Sequence, residues 1–330
     1  MTDPIRSRRD FIRASLAGGA ALGLGLGLRP GRLIAQEVSG SPAAGTIGDY
    51  KISLAQWSLH RRYFEDRDPA KVAQANLGFP RDAREEFGIE GVEFVNQFFK
   101  DRARDDSYLT ELKRRADDQG VTCLLIMIDG EGSLSDADNS RRRQAVENHK
   151  KWVDAAKALG CHSIRVNTGD NYSASDVSVA VDGCAALAEY GKSQGINIIC
   201  ENHGGPSSDP DALIALIRGV GMDNFGTLPD FGNFATEGPR DEHRYAIDIY
   251  DAVARLMPFA KGVSAKCYDF QDGKELYLDF PRLMKIVTDS GYHGYVGIEY
   301  EGNRLSEPEG IKAAKALLDS LRGAEYSPKA

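Results

Sequence analysis

The sequence predicts a single (β/α)8, or TIM, barrel of the α/β class. Between residues 51 and 321, apolar strand patterns alternate with helix patterns eight times, as in an eight-stranded barrel or a doubly wound sheet. No Gly-x-Gly-x-x-Gly motif follows the first strand, so a dinucleotide-binding sheet has no support. Polar residues are concentrated at the carboxyl ends of the strands, where barrel enzymes place their active sites, and this favours the barrel.

The first 45 residues are predicted to be an export signal with a linker. Arg8 and Arg9 precede an uncharged stretch rich in glycine, alanine and leucine over residues 14–28, which is typical of a twin-arginine signal. A membrane anchor is the alternative, but the stretch is shorter than the roughly 20 residues that span a bilayer. We therefore expect a periplasmic or otherwise exported protein that uses the twin-arginine export machinery, with one catalytic domain over residues 46–330.

The predicted strands and helices follow one another at a regular spacing. The strands cover residues 51–57, 91–95, 121–128, 163–167, 197–201, 225–230, 261–266 and 295–299. The helices between and after them cover residues 80–87, 107–119, 140–159, 174–194, 210–218, 242–257, 280–290 and 307–321. Glycines at the ends of six helices let the chain adopt the left-handed conformation and turn into the next strand: Gly88, Gly120, Gly160, Gly195, Gly221 and Gly291.

The composition excludes two classes of site. The net charge is −8 and no run of Lys or Arg follows the signal, so a nucleic-acid partner is not expected. The cysteines are odd in number and scattered without Cys-x-x-Cys spacing, which predicts buried apolar residues rather than disulfides or a zinc site. They are Cys123, Cys161, Cys184, Cys200 and Cys267.

Three predicted strands end in carboxylates. The fifth strand ends at Glu201, and the strand period of two places His203 on the same side. The sixth strand ends at Asp230, and the eighth at Glu299 with Glu301 beyond it. Burying a carboxylate costs several kcal/mol unless a cation or hydrogen-bond donors compensate. Three acids at neighbouring strand ends therefore indicate one shared cation.

Other polar residues are predicted to face the interior from the same strand ends. A purely structural barrel would fill these positions with Val, Ile and Leu. The candidates for contacting a substrate are Gln56, His60, Glu93, Asn167 and Asn233, and Lys266 is a candidate for stabilising negative charge on an oxygen. Two alternatives remain open: Arg165 and Glu93 could form a buried ion pair, and His60 could be a rim residue bonded to a loop.

The residue types predict metal-assisted proton transfer. Three carboxylates with an imidazole or water suit Mn²⁺ or Mg²⁺, with zinc or cobalt also possible, and the expected ligands are Glu201, His203, Asp230 and Glu299. Such an ion polarises a substrate carbonyl and stabilises an enediolate. A neighbouring carboxylate can then remove the adjacent C–H proton.

Over residues 51–321 the chain resembles the xylose-isomerase-like TIM barrels, which include sugar epimerases, sugar isomerases and dehydratases. The motifs Cys200-Glu201-Asn202, Pro229-Asp230 and Gly297-Ile298-Glu299 are similar to the family's ligand positions on strands five, six and eight. The resemblance implies that Glu201 and Glu299 bind the metal and act as the acid/base pair. The longer strings around them resemble an exported subgroup labelled sugar phosphate isomerase/epimerase.

Two positions depart from the family pattern. The seventh strand reads Ser264-Ala265-Lys266 where the family has His-x-Lys, and Asn233 stands where several epimerases have histidine. His203 or water would then supply the missing ligand. Some relatives near this subgroup act on 3-keto-glycosides as lyases or hydratases, and the missing strand-seven histidine leaves that reaction open.

The expected function is a metal-dependent isomerase or epimerase of an unphosphorylated sugar or polyol. Export argues against a phosphorylated substrate, and no Gly-rich phosphate cradle is present in the sequence. A 3-keto-glycoside lyase or hydratase on the same site is the first alternative. A barrel that binds a carbohydrate without catalysis is the second.

Overall fold

The computed structural model describes residues 41–66, 68–239 and 242–328, so most of the predicted export signal lies outside the described residues. Within them, eight strands form one parallel sheet. We number them β1 (Lys51–Ala55), β2 (Gly91–Val95), β3 (Thr122–Ile128), β4 (Ser163–Val166), β5 (Asn197–Glu201), β6 (Phe225–Leu228), β7 (Val263–Cys267) and β8 (Tyr295–Tyr300). Every predicted strand is present, with ends that differ by up to two residues.

The sheet curls until its two outer strands meet. The strand order is β6-β5-β4-β3-β2-β1-β8-β7, and β6 and β7 are joined by parallel bridges at Thr227–Ala260 and Asp230–Ser264. The Ser264 backbone N–H also donates to the Pro229 carbonyl across this seam, at 2.9 Å. These contacts close the circle, and the predicted barrel is confirmed.

The helices pack around the outside of the sheet. Their bounds are His60–Phe64, Pro69–Asn76, Phe79–Phe87, Asp106–Asp118, Asn139–Leu159, Ser178–Gln194, Pro210–Val220, Ile249–Leu256, Phe280–Asp289 and Glu307–Leu321. The helix predicted over 242–257 begins only at Ile249, because the Asp248 carboxylate caps it by accepting from the N–H groups of Tyr250 and Asp251. In the part of the chain that the structure describes, no helix is long and apolar enough to cross a membrane.

The predicted helix-end glycines and the cysteines behave as expected. All six glycines have positive φ angles, from 62° at Gly221 to 82° at Gly291, which only glycine adopts without strain. All five cysteines are buried and free. Below the first strand, residues Gly45–Thr46 pair antiparallel with Glu325–Tyr326 and tie the start of the described chain to its end.

Candidate functional site

Glu201, at the end of β5, is a buried carboxyl group held on both oxygens. Only 2% of the residue is exposed. The Asn233 side-chain amide donates to Oε1 at 2.7 Å, and Nε of Arg165 lies 2.9 Å from Oε2. Burial raises the pKa of Glu201 even though the Arg165 charge opposes this. The arrangement orients one carboxyl group, and burial favours its protonated form.

Arg165, on β4, forms the predicted buried ion pair, but with different acids. Besides contacting Glu201, its Nη1 donates to Asp129 Oδ1 at 2.9 Å. The Arg165–Glu93 alternative is wrong, because β3 lies between β2 and β4 while Glu201 is on the adjacent strand β5. Glu93 instead accepts a hydrogen bond from Ser53 at 2.6 Å.

Asp129 is a site residue that the sequence analysis missed. Its carboxylate accepts from Arg165, from Asn167 Nδ2 at 2.7 Å and from Gln97 Nε2 at 3.1 Å. Burial alone would raise its pKa, but the Arg165 charge and these donors hold the pKa at about 2. An acid directly after the apolar strand β3 repeats the pattern of Asp230, and that signal could have identified it.

Lys266, on β7, lies between Glu299 of β8 and Glu301, which directly follows that strand. Its Nζ is 2.6 Å from Glu299 Oε1 and 3.2 Å from Glu301 Oε2, and only 1% of the lysine is exposed. The Trp57 indole N–H donates to the other oxygen of Glu301 at 2.5 Å. Burial would lower the pKa of Lys266, but these acids raise it well above its usual value. The lysine is therefore a buried cation.

Asp230, just past β6, is the most completely bonded of the three predicted carboxylate ligands. Its Oδ1 accepts from the backbone N–H groups of Gly232 at 2.7 Å and Asn233 at 2.8 Å, and its Oδ2 accepts from Ser264 Oγ at 2.6 Å. The residue is fully buried, and burial raises its pKa to about 7. The carboxyl group thus joins β6 to β7 where the barrel closes.

Glu93 lies lower in the barrel, beneath the other acids. Its carboxyl group fills the space where glycine replaces a side chain on β8: a Cβ built on Gly297 would lie 2.4 Å from Oε1. Burial, with the nearby charges of Glu299 and Glu201, raises the pKa of Glu93 to about 8. Glu93 is therefore a neutral acid on the barrel floor near neutral pH.

Strand parity fails at Gln56, because β1 has already ended there. Gln56 follows the last residue of β1 and begins a short 3-10 turn, so its buried amide bonds to Asn76 at 2.5 Å and to the Val95 N–H at 3.0 Å. The predicted substrate contact of Gln56 has no support from these bonds. His203 follows β5 on an exposed turn, where its backbone N–H donates to Ser207 Oγ at 2.9 Å. Its imidazole is near enough to the site for burial and the charges of Arg165 and Lys266 to lower its pKa, so its predicted position beside Glu201 stays a prediction.

The remaining predicted contacts lie at the carboxyl end of the barrel. His60 is a rim residue: its ring stacks on Trp57 with centroids 4.9 Å apart, and Nδ1 lies 2.8 Å from the Trp57 carbonyl oxygen. Asn167 is partly buried beside Asp129 and Arg165. Asn233 is buried against Glu201. The structure thus groups the acids with two buried cations and a set of amide side chains.

The residues present do not fit the predicted four-ligand metal centre. Among the described residues, no group of three or more His, Cys, Asp or Glu side chains could hold a metal ion. Both oxygens of Asp230 accept hydrogen bonds within the protein, and one oxygen of Glu299 accepts a hydrogen bond from Lys266. Three buried carboxyl oxygens, Oε2 of Glu93, Glu201 and Glu299, accept no hydrogen bond from the described residues. Nε of Arg165 already lies 2.9 Å from that oxygen of Glu201, and Glu93 lies lower in the barrel.

Comparisons with known proteins agree with this architecture. A family model described as "Xylose isomerase-like TIM barrel" matches residues 81–322. A search of curated proteins finds no match to the chain. The solved structures that resemble it share the fold at low sequence identity, which makes the likeness one of fold alone.

Three of these structures illustrate the range of proteins that share this fold. A xylose isomerase-like TIM barrel protein from Mycobacterium smegmatis, in complex with magnesium, is 17% identical with a TM-score of 0.59, covering 84% of this chain and 99% of that one. The probable 3-DHS dehydratase AsbF from Bacillus anthracis is 15% identical (TM-score 0.59, 82% and 98%). D-Psicose 3-epimerase with D-tagatose, from Clostridium cellulolyticum H10, is 14% identical (TM-score 0.59, 82% and 98%).

Proposed function

The chain belongs to the xylose isomerase-like TIM barrel family, and from this premise we propose that it is a sugar isomerase or epimerase that works by proton transfer. One observation carries the proposal: Glu201 and Glu299 are buried at the ends of β5 and β8, and each contacts a buried cation. Two acids held in this way can remove and return a proton.

The reaction starts with a sugar whose carbonyl group lies next to a C–H bond. Glu299 takes the proton, the C–H electron pair forms a carbon–carbon double bond, and the carbonyl oxygen becomes negative. Glu201, whose pKa burial raises, then donates a proton. Donation of this proton to the opposite face of the same carbon gives an epimer. Donation to the former carbonyl carbon, together with transfer of the adjacent hydroxyl proton to the negative oxygen, gives an isomer.

The proposed substrate is a small unphosphorylated sugar or polyol. D-Psicose 3-epimerase, among the similar structures, supports a ketose. The twin-arginine signal that we propose within residues 1–45 would export the protein, and phosphorylated sugars are held inside cells. The metal dependence implied by the family resemblance is not part of the proposal, because the described residues do not form the ligand set.

A 3-keto-glycoside lyase or hydratase is the second candidate. Ser264 stands where the family has histidine, and a probable dehydratase is among the similar structures. The lyase begins with the same proton removal by Glu299. It differs in the next step: the electron pair of the enediolate expels the leaving group from the carbon next to the deprotonated one, and Glu201 gives its proton to that leaving group.

Proton NMR in D₂O tests both candidates. The purified protein is incubated with D-fructose, D-tagatose and a 3-keto-glucoside, and we expect deuterium in recovered sugar or a new epimer. Loss of the aglycone would identify the lyase. No exchange on any sugar, together with a thermal shift on adding one, would replace the enzyme by a sugar-binding barrel.

Variants of the two acids test their proposed roles in proton transfer. Glu201→Gln and Glu299→Gln should each slow the exchange by about 10²- to 10⁴-fold, the usual contribution of a general acid or base. Glu90→Gln is the matched control, because Glu90 precedes β2 at the opposite end of the barrel and is exposed. Full activity in both site variants would contradict the assignment.

A further inference from the structure

We propose that this site uses the side chains of Lys266 and Arg165 in place of a divalent metal ion. The inference rests on the proton-transfer function proposed above, and it departs from the metal dependence expected of the family. It is carried by the positions of the two cations, which already contact the acids that a metal ion would need.

Lys266 is built into the site rather than resting at its edge. The residue is 1% exposed, and it is the Cα neighbour of Glu299 across β7 and β8. Its Nζ lies 2.6 Å from Glu299 and 3.2 Å from Glu301, which the Trp57 indole N–H holds from the other side. An ammonium group fixed between two carboxylates occupies the place that a bridging cation would take.

Arg165 has the matching position on the other half of the site. It is 4% exposed, and its guanidinium group contacts Glu201 through Nε and Asp129 through Nη1, both at 2.9 Å. An arginine guanidinium group stays charged at every pH at which a protein is folded. Glu201 therefore keeps a permanent positive neighbour without any bound ion.

Asp230 is the third carboxylate of the expected ligand set, and its oxygens are already bonded within the protein. Asp230 accepts two backbone hydrogen bonds and one from Ser264, and it lies in the bridge that closes β6 on β7. Ser264 stands at the position where the family pattern has a ligand histidine. A metal ion would have to break these bonds, move Lys266 away from Glu299, and approach two fixed positive charges.

The two cations can supply the charge stabilisation that the reaction needs. When Glu299 takes the substrate proton, Glu299 becomes neutral and the carbonyl oxygen of the sugar becomes negative. Lys266 stays positively charged next to Glu299 and to that oxygen. An ammonium group has three N–H donors, and Glu299 and Glu301 engage two of them, which leaves one for that oxygen. The proton goes to a carboxylate and the electron pair to oxygen, so no further reactant is required.

Metal removal and metal binding give two separate readouts. The full chain is treated with EDTA, its metal content is measured by plasma mass spectrometry, and sugar exchange is followed in D₂O with and without Mn²⁺. Independently, Mn²⁺ is titrated into the EDTA-treated protein by calorimetry. We expect an unchanged exchange rate after EDTA, and no saturable heat from Mn²⁺.

The Lys266→Met variant tests whether Lys266 serves as the cation of the site or only supports the fold. Its exchange rate should fall by about 10²- to 10³-fold, as for loss of one oxyanion-stabilising donor. It should also gain saturable Mn²⁺ binding, because Glu299 and Glu301 lose their cation. Lys285→Met is the control, since it removes another buried lysine, bonded to Asp289 at 2.6 Å on a peripheral helix, and should change neither readout.

The outcomes are distinguishable. Stoichiometric Mn²⁺ binding by the unmodified protein, or activity that EDTA removes and Mn²⁺ restores, would overturn the inference. A Lys266→Met protein that folds but binds no Mn²⁺ would also overturn it, because the ammonium would then not occupy a cation position. Absence of exchange under all conditions would instead count against the proposed function, while the calorimetry would still decide the question of the metal.

Discussion

Lys266 and Glu299 are direct neighbours across the parallel strands β7 and β8, and their side chains form a buried ion pair with Nζ 2.6 Å from Oε1. The pair lies at the carboxyl end of the barrel, and its two residues are 1% and 4% exposed. Neither charge can be relieved by water, so each depends on the other. This dependence links the stability of the barrel to the chemistry of the site.

We expect Lys266→Met to lower the free energy of unfolding by about 3–5 kcal/mol, because it leaves the Glu299 carboxylate buried without its partner. The double variant Lys266→Met, Glu299→Leu should recover much of this loss, since the acid that remains, Glu301, is partly exposed and keeps its hydrogen bond from Trp57. Urea unfolding of the two single variants and the double variant gives the coupling energy. Additive losses would show that the two side chains do not depend on each other.

Asn233 should act as a positioning residue for Glu201, to which it donates at 2.7 Å. Removing a hydrogen bond to a carboxylate costs about 1.5–3 kcal/mol, so Asn233→Ala should lower kcat roughly 10- to 100-fold with a smaller change in KM. Exchange kinetics at several sugar concentrations separate the two constants.

Asn233→Asp distinguishes positioning from simple loss of structure. It replaces the donor by a second carboxylate, and the like charge should raise the pKa of Glu201 further. Asn233→Ala also raises this pKa, because it removes a hydrogen bond that lowers it. The limb of the pH–rate profile that reports Glu201 should therefore move to higher pH in both variants, and further in Asn233→Asp. Identical profiles in the two variants would argue against this role.

Most of the fold could be predicted from local sequence, because strand and helix patterns repeat with clear glycine signals between them. Strand parity is a sound guide where a residue lies within a strand or directly at its end, as Glu201 and Glu299 do. Gln56 was assigned by strand parity after β1 had already ended, so the rule no longer applied. The choice of ion-pair partner depends on strand adjacency and side-chain reach, and for this reason the Arg165 contacts could not be derived.

Gly297→Ala should be destabilising because of Glu93. A Cβ at this position would lie 2.4 Å from one carboxyl oxygen of Glu93 and 2.7 Å from the other, and neither β2 nor β8 can move freely inside the closed barrel. Overpacking of this kind costs about 1–3 kcal/mol. In a Glu93→Ala background the same change should cost little, and urea unfolding of the four proteins tests this. An equal cost in both backgrounds would place the strain elsewhere.

Glu93 should also make the protein less stable as the pH rises. Burial raises its pKa from 4.5 to about 8, so between these values the folded protein holds a proton that the unfolded chain has released. Stability changes with pH in proportion to protons bound by the unfolded state minus those bound by the folded state, and here that difference is negative. The contribution of Glu93 therefore falls from about pH 4.5 to pH 8.

Glu93→Gln isolates this contribution from the other buried acids, because Asp230 and the rest remain in both proteins. The glutamine oxygen can still accept the hydrogen bond from Ser53, so the packing is preserved. We expect the two proteins to be similarly stable near pH 4.5, and the variant to be more stable by a few kcal/mol near pH 8, since one pKa unit corresponds to about 1.4 kcal/mol. Urea unfolding across this range measures the difference. A stability difference that does not change with pH would mean that Glu93 has the same proton occupancy in the folded and unfolded chains.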